Sequence, residues 1–83
     1  MADDLLTAGV RRLVARALGV PQAGLTPSTD LREDAGAGED EIILALMMIE
    51  EAYGADLPDT APDLVRTAGD VVRLTRAAIG PVC

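Results

Sequence analysis

The sequence contains no histidine and a single cysteine, so most of the side-chain combinations used for metal binding and proton transfer are missing. Structural zinc sites need several Cys or His ligands, and Ser-His and Cys-His catalytic pairs need a histidine. Histidine is also the usual side chain for proton exchange near neutral pH. We therefore expect a protein that is not an enzyme and has no metal site.

Aromatic residues are almost absent as well, because Tyr53 is the only one among 83 residues. Hydrophobic residues make up 49% of the chain, so the core has to be built from Leu, Val, Ile, Ala and Met. These residues recur at three- and four-residue steps, which is the spacing of amphipathic helices. The sequence predicts a single all-α domain over residues 1–83.

Positive charge is scarce, with seven basic residues against fourteen acidic ones and a net charge of −7. Nucleic-acid binding needs a concentration of Lys and Arg that this chain lacks, so we expect no nucleic-acid partner. Residues 30–63 contain eleven of the acids and one arginine, Arg32. This segment is either a solvated acidic surface or a surface that attracts a basic partner.

Long apolar runs are also missing, since none reaches the roughly 18 residues of a membrane span. Asp3 and Asp4 occupy the region where a secretory leader would carry positive charge. These features predict a cytoplasmic protein without a membrane partner. Cys83 has no second cysteine to pair with, so it is either a reduced thiol at the chain end or, alternatively, a functional thiol.

The apolar pattern predicts three longer helices and one short helix. The first covers residues 3–18 and ends at Gly19, and the second, central helix covers about 39–53 and ends at Gly54. The acidic start of the second helix complements the partial positive charge of a helix N-terminus. Between them lies a long loop, 20–38, which Leu25 and Leu31 are expected to hold against the core. Thr29-Asp30-Leu31 is typical of a local turn stabilised by a short polar side chain.

The remaining residues predict the short helix and the last long one. Thr60 is the expected N-cap of the short helix, which ends near Arg66. Thr67 and Asp70 have the spacing of a capping box at the start of the last helix, which runs through Ile79 to a stop at Gly80-Pro81.

The central helix is apolar on two sides. Its buried face is expected to contain five residues: Ile42, Ile43, Leu46, Ile49 and Tyr53. Leu44, Met47 and Met48 fall on the opposite flank. Either loop 20–38 covers this flank, or it is an exposed docking patch, for which adaptable methionines are well suited.

Three segments together resemble the acyl carrier protein family: Thr29 to Ala37, Ile49 to Gly54, and Asp56 to Asp59. The resemblance spans nearly the whole chain and implies an acidic, acyl-carrier-protein-like four-helix bundle. In that family the second helix begins at an Asp-Ser-Leu motif, and the serine carries 4′-phosphopantetheine.

The chain departs from the family at this motif, whose positions fall on Gly38, Glu39 and Asp40. No Ser or Thr lies between Asp30 and Asp59, so the hydroxyl that forms the phosphodiester is missing in any plausible register. We therefore expect no attached cofactor. The Glu39 carboxylate either imitates the charge of the modified serine or only stabilises the helix start.

The resemblance also implies where partners and acyl chains would bind. The family binds basic enzyme surfaces through acids of the second helix; Glu50 and Glu51 keep two of these positions, whereas Leu44 replaces an acid. The family's acyl pocket corresponds to Ile43, Leu46, Val65 and Ala68, which are more simply explained as core residues without a cofactor arm.

The leading hypothesis is a non-catalytic, acyl-carrier-like interaction module of fatty-acid or polyketide-type biosynthesis. Its expected partner is the basic surface of a biosynthetic enzyme, bound through seven residues: Glu39, Asp40, Leu44, Met47, Met48, Glu50 and Glu51. The alternative is a carrier that holds an acyl ligand non-covalently or through Cys83. A monomer and a weak homodimer joined by the apolar flank both remain open.

Overall fold

The structure is a computed structural model that describes residues 5–79. Within this range the chain forms four α-helices: α1 (Leu5–Leu18), α2 (Glu39–Tyr53), α3 (Ala61–Leu64) and α4 (Ala68–Ile79). The described residues contain no β-strand, only one isolated bridge between Asp30 and Thr67. The predicted all-α class is therefore confirmed. The predicted start of the first helix at residue 3, the stop at Gly80-Pro81 and Cys83 lie outside the described residues.

Both glycines expected to end the first two helices have left-handed backbone conformations. Gly19 has a φ of 71° and Gly54 a φ of 62°, a region that residues with a Cβ rarely adopt. After each glycine the next backbone N–H turns back onto the helix, from Val20 to the Ala15 carbonyl (3.0 Å) and from Ala55 to the Glu50 carbonyl (3.2 Å). These bonds satisfy carbonyls that a helix end leaves without partners.

The core forms where α1 packs against α2 and α4. Its most deeply buried side chains come from all three helices and from the loop between α1 and α2: Val10, Val14, Leu25, Leu31, Ile42, Ile49, Val71 and Thr75. The hydroxyl of Thr75 is satisfied inside this core by donating to the Val71 carbonyl at 2.8 Å. The prediction that Leu25 and Leu31 hold the loop against the core is confirmed.

The buried face of α2 differs from the prediction at two positions, Ile43 and Ala45. Ile43 is 38% exposed, whereas Ala45 is 2% exposed and belongs to the core. The buried stripe follows residues 42, 45, 46 and 49, which is the three- and four-residue spacing of one helix face. Ile43 lies one helical step, about 100°, to the side of Ile42 and falls outside the stripe.

The loop between α1 and α2 is tied to the start of α4. It contains one turn of 3₁₀ helix, Gln22–Gly24, that the sequence did not predict. Leu31 donates its backbone N–H to the Arg66 carbonyl (2.8 Å), and Gly69 donates to the Pro27 carbonyl (2.9 Å). The expected local turn is also present, because Asp30 Oδ1 accepts from the backbone N–H of Arg32 at 2.9 Å and of Glu33 at 2.8 Å.

The predicted caps have different outcomes. At α4, Asp70 donates its N–H to Thr67 Oγ1 and Thr67 donates its N–H to Asp70 Oδ2, each at 3.1 Å, so the capping box is confirmed. At α3, Thr60 occupies the predicted N-cap position, although its side chain makes no capping hydrogen bond. The helix also ends at Leu64 rather than near Arg66, because Val65 adopts an extended conformation.

Candidate partner-binding surface

The start of α2 is an acidic turn stabilised by its own side chains. Gly38 donates its backbone N–H to Glu41 Oε1 at 2.6 Å, which satisfies a group just before the helix. Glu39, Asp40 and Glu41 form the first turn, and all three are exposed. The acids therefore meet the positive end of the helix dipole while remaining accessible to a partner.

Arg32 connects this turn to α3. Its guanidinium donates to the Val65 carbonyl at 3.2 Å, to the Pro62 carbonyl at 3.1 Å, and to Glu39 Oε1 at 3.3 Å. A guanidinium has five N–H donors in a fixed plane, so one side chain can hold three separate acceptors. The Glu39 carboxylate is thus already paired with a cation from the same chain.

The apolar flank of α2 remains exposed in the structure. Leu44 is 46% exposed and Met47 is 59% exposed, while Met48 is half-buried. The loop 20–38 does not cover them, since it packs its leucines into the core and bonds to the start of α4. Of the two alternatives for this flank, the exposure of Leu44 and Met47 favours the uncovered one, and Ile43 adds a further exposed apolar side chain beside it.

The acids that follow this flank have different roles. Glu50 is half-buried, and its Oε2 accepts the backbone N–H of Leu57 at 3.0 Å, so it stabilises the turn after α2. Glu51 and Asp40 are exposed and form no ion pair with any described residue. On α2, Glu39, Glu41 and Glu50 thus each bond to another described residue through the carboxylate, whereas Asp40 and Glu51 form no ion pair within residues 5–79.

Five of the seven predicted partner-binding residues lie around one shallow hollow of about 420 Å3: Leu44, Met47, Met48, Glu50 and Glu51. The other two, Glu39 and Asp40, lie at the N-terminal end of the same helix. The structure thus places all seven on α2, with apolar side chains in the middle and carboxylates at both ends.

A separate groove lies between α2 and the segment 57–62. It has a volume of about 200 Å3 and is lined by residues from both sides: Ile43, Leu46, Met47, Glu50, Leu57, Pro58, Asp59, Ala61 and Pro62. Sequence reasoning placed Ile43 and Leu46 near an acyl pocket but missed the opposite wall. The Leu57-Pro58-Asp59 turn was the available signal, because a turn after α2 returns the chain to the same helix.

The four residues that the resemblance assigns to an acyl pocket have different surroundings in the structure. Leu46, Val65 and Ala68 are 5%, 2% and 2% exposed and belong to the core, whereas Ile43 faces the groove. Only Ile43 and Leu46 line that groove. Packing explains Val65 and Ala68 without a ligand.

Residues 5–79 contain no cluster of three or more potential metal ligands among Cys, Asp and Glu. None of the helices in the same range combines the length and apolar character needed to cross a bilayer. A scan of the chain against models of known protein families finds no match.

Proposed function

We propose that this chain is an acyl-carrier-like, non-catalytic interaction module that binds the basic surface of an enzyme in fatty-acid or polyketide-type biosynthesis. The observation that carries the proposal is the exposed hollow of Leu44, Met47, Met48, Glu50 and Glu51, on the helix whose start has Glu39 in place of a modifiable serine. The order of helices, three longer and one short with a long loop after the first, supports the same assignment.

The chemistry of Glu39 favours interaction over covalent carriage. Phosphopantetheine is attached through a phosphodiester to a hydroxyl oxygen, and a carboxylate cannot form that linkage. The Glu39 side chain is also engaged with Arg32 at 3.3 Å. No Ser or Thr stands within α2 or its first turn to replace it.

The apolar flank is the part of the surface that would gain most from a partner. Burying apolar area contributes about 25 cal/mol per Å2 of favourable free energy, so covering Leu44 and Met47 with a partner would stabilise the complex. Thioether side chains adapt to differently shaped partners. The flanking carboxylates would select a cationic partner and raise its association rate.

Mass spectrometry tests the part of the proposal that says this chain cannot receive the phosphopantetheine group. The purified chain is incubated with a phosphopantetheinyl transferase and coenzyme A, with an acyl carrier protein that has the serine as positive control. We expect the mass of this chain to stay unchanged while the control gains the prosthetic group. A matching mass gain would contradict the proposal.

Partner capture tests the binding half. The chain is immobilised and exposed to extracts that contain acyl-synthesis enzymes, and the captured enzymes are identified and quantified. Leu44→Asp should reduce capture at least tenfold, because a charge is placed in the middle of the apolar flank. Ile79→Asp is the matched control, since Ile79 is 41% exposed on another helix. Equal capture by both variants would show that the apolar flank of α2 is not part of the interface.

A second candidate function is a carrier that holds an acyl ligand without the prosthetic group. The groove between α2 and segment 57–62 favours it, because Ile43, Leu46 and Leu57 give it an apolar lining. Native mass spectrometry of freshly isolated protein separates the two candidates: a bound lipid or an adduct on Cys83 supports the carrier, and a clean mass supports the interaction module. Sedimentation at increasing concentration decides between a monomer and a weak homodimer.

A further inference from the structure

The groove between α2 and segment 57–62 combines a buried apolar floor with exposed apolar walls. Leu46, Leu57 and Ala61 form the floor with exposures of 5%, 7% and 1%, whereas Ile43 and Met47 on the wall are 38% and 59% exposed. A side chain entering the groove would cover both wall residues at once. This pattern is typical of the pocket that receives an anchoring residue at a protein interface.

The size of the groove limits what it can accept. Its volume is about 200 Å3, and an apolar cavity of about 150 Å3 is known to hold one benzene molecule. Sites for larger organic ligands usually enclose about 300–1,000 Å3. The groove therefore has room for one aromatic ring or one branched aliphatic side chain, and a long acyl chain would extend well beyond it.

The opposite side of the groove, segment 57–62, is restrained by two prolines and a hydrogen bond to α2. Pro58 and Pro62 both line the groove, and the ring of each fixes its φ angle. Leu57 is held to α2 by its 3.0 Å bond to the Glu50 carboxylate. A preformed wall reduces the ordering cost of binding, which favours a short anchor over a large, adaptable contact.

The charges around the groove define the flanks of the anchor. Glu50 and Asp59 line it, and no basic residue does. Asp59 and Asp63 are exposed and form no ion pair with any described residue. A symmetric contact with a second copy would place acids against acids, whereas Arg or Lys beside the anchor would find carboxylates on both sides.

We infer that the partner inserts one aromatic or leucine-sized side chain, flanked by Arg or Lys, into the groove between α2 and segment 57–62. This inference rests on the proposed function, because it describes how a basic partner surface would anchor itself on this chain. It adds a pocket and a residue type to an interface otherwise defined by the flank of α2.

Peptide selection on the full chain tests the inference without knowledge of the natural partner. A random library of 12-residue peptides is displayed and selected on the immobilised protein, and enriched peptides are synthesised for titration. We expect enrichment of Phe, Trp or Leu flanked by Arg or Lys. Replacing that anchor with Ala should weaken binding at least tenfold.

Variants of the chain locate the binding site. Ile43→Asp and Met47→Ser should each weaken the selected peptide at least tenfold, while Ile79→Asp, at a similarly exposed isoleucine of α4, should leave it unchanged. Circular dichroism of each variant checks that the helices persist. Amide shifts in an NMR titration should be largest at residues 43, 47, 57 and 61.

Other outcomes would overturn the inference. They are the absence of enriched peptides, selection of acidic peptides, binding that tolerates Ile43→Asp, or a concentration-dependent dimer that Ile43→Asp abolishes. If selection fails while Leu44→Asp still reduces enzyme capture, only the groove inference is wrong and the proposed function stands. If capture is insensitive to Leu44→Asp while groove binding persists, the flank rather than the groove is misassigned.

Discussion

Gly9 lies on α1 at the point where the hydroxyl of Tyr53 approaches its backbone. A Cβ added at Gly9 would stand 2.1 Å from the Tyr53 oxygen but 3.4 Å from Cζ, so the hydroxyl alone causes the conflict. Helix propensity favours Ala over Gly by about 1 kcal/mol, whereas overpacking typically costs about 1–3 kcal/mol. These two opposing effects can be separated because only one of them depends on Tyr53.

A double-mutant cycle tests this contact. We expect Gly9→Ala to be neutral or destabilising in the natural sequence and to stabilise the Tyr53→Phe variant by up to about 1 kcal/mol. The coupling between the two positions should therefore equal the overpacking cost, about 1–3 kcal/mol, in urea unfolding. Additive effects would show that Tyr53 moves aside without cost.

Asp70 is the residue whose ionisation the fold stabilises most clearly. The pKa of its carboxyl is lowered by hydrogen bonds from the backbone N–H groups of Arg66 (2.9 Å) and Thr67 (3.1 Å), against an opposing effect of burial and with help from Arg73. Because the folded-state pKa is below the unfolded value of about 3.9, the stabilisation is present above that value. It is lost as the pH falls through the folded-state pKa.

This linkage predicts a pH-dependent difference between Asp70→Asn and the natural chain. At about pH 7 the variant should be less stable by about 0.5–2 kcal/mol, the usual value of a helix cap, and the difference should shrink as the pH falls below the unfolded-state pKa of about 3.9. Urea midpoints measured across this range check the result. Asp56→Asn is the control, because Asp56 is exposed and its side chain forms no hydrogen bond with any described residue. A difference that persists in acid would mean that the cap acts through shape alone.

At the level of single residues, the sequence predicted best where local chemistry decides the outcome. The left-handed glycines, the Thr67–Asp70 box and the burial of Leu25 and Leu31 depend on neighbouring residues or on hydrophobicity. Ile43 was wrongly predicted to be buried, because the periodicity of one helix does not show how much of its surface the neighbouring helices cover. Thr60 is the N-cap of α3, but its backbone, with a φ of −84° and a ψ of 2°, lies outside the extended region typical of residues whose side chains cap a helix.

Among the structural elements, Arg32 links three segments that are distant in sequence. It joins the loop before α2 to the carbonyls of Pro62 and Val65 at the end of α3 and to Glu39 at the start of α2. One side chain thus bonds to a carbonyl within α3, to the carbonyl just after it and to the first residue of α2.

Arg32→Ala should lower the free energy of unfolding by about 1–3 kcal/mol, because the two carbonyls lose a charged donor. Arg32→Lys should recover only part of this loss, since an ammonium cannot reach three acceptors in one plane. Chemical denaturation measures both. Arg12→Ala, at an exposed arginine of α1, is the control and should change stability by less than about 0.5 kcal/mol. An Arg32→Ala variant as stable as this control would contradict the linking role.

Helix order and approximate bounds were predictable because each helix has its own apolar period and stop signals. The hydrogen bonds between the loop and the start of α4 were not predictable. They run from Leu31 to Arg66 and from Gly69 to Pro27, and they join backbone groups that nearly every residue has. The candidate site likewise has a part that the sequence predicts and a part that it does not. Its side chains on α2 could be chosen from the sequence, but the wall at 57–62 depends on tertiary packing.

At the scale of the whole molecule, charge is distributed unevenly. Eleven of the fourteen acids fall within residues 30–63 and oppose only Arg32 within that segment. A net charge of −7 on a chain of 83 residues leaves unbalanced repulsion in the folded state. Salt should relieve it, because the Debye length falls from about 30 Å to about 8 Å between 0.01 M and 0.15 M ionic strength.

We therefore expect the melting temperature to rise with NaCl over this range. A variant with Glu33→Gln and Asp56→Asn, both exposed positions, should have a smaller rise. Binding to a cationic partner should change in the opposite direction and weaken with salt, because the same screening reduces attraction. A melting temperature that falls as salt is added would show that favourable ion pairs outweigh the repulsion.

The contact between Tyr53 and Gly9 also gives the protein an intrinsic spectroscopic reporter. Tyr53 is the only aromatic residue in the sequence, so all near-ultraviolet absorbance and fluorescence of aromatic origin come from one ring at the junction of α1 and α2. With no tryptophan to accept its excitation, its emission responds directly to separation of these helices. Stopped-flow fluorescence of the unlabelled protein can thus time the docking of α1 onto α2, while far-ultraviolet circular dichroism follows helix formation separately.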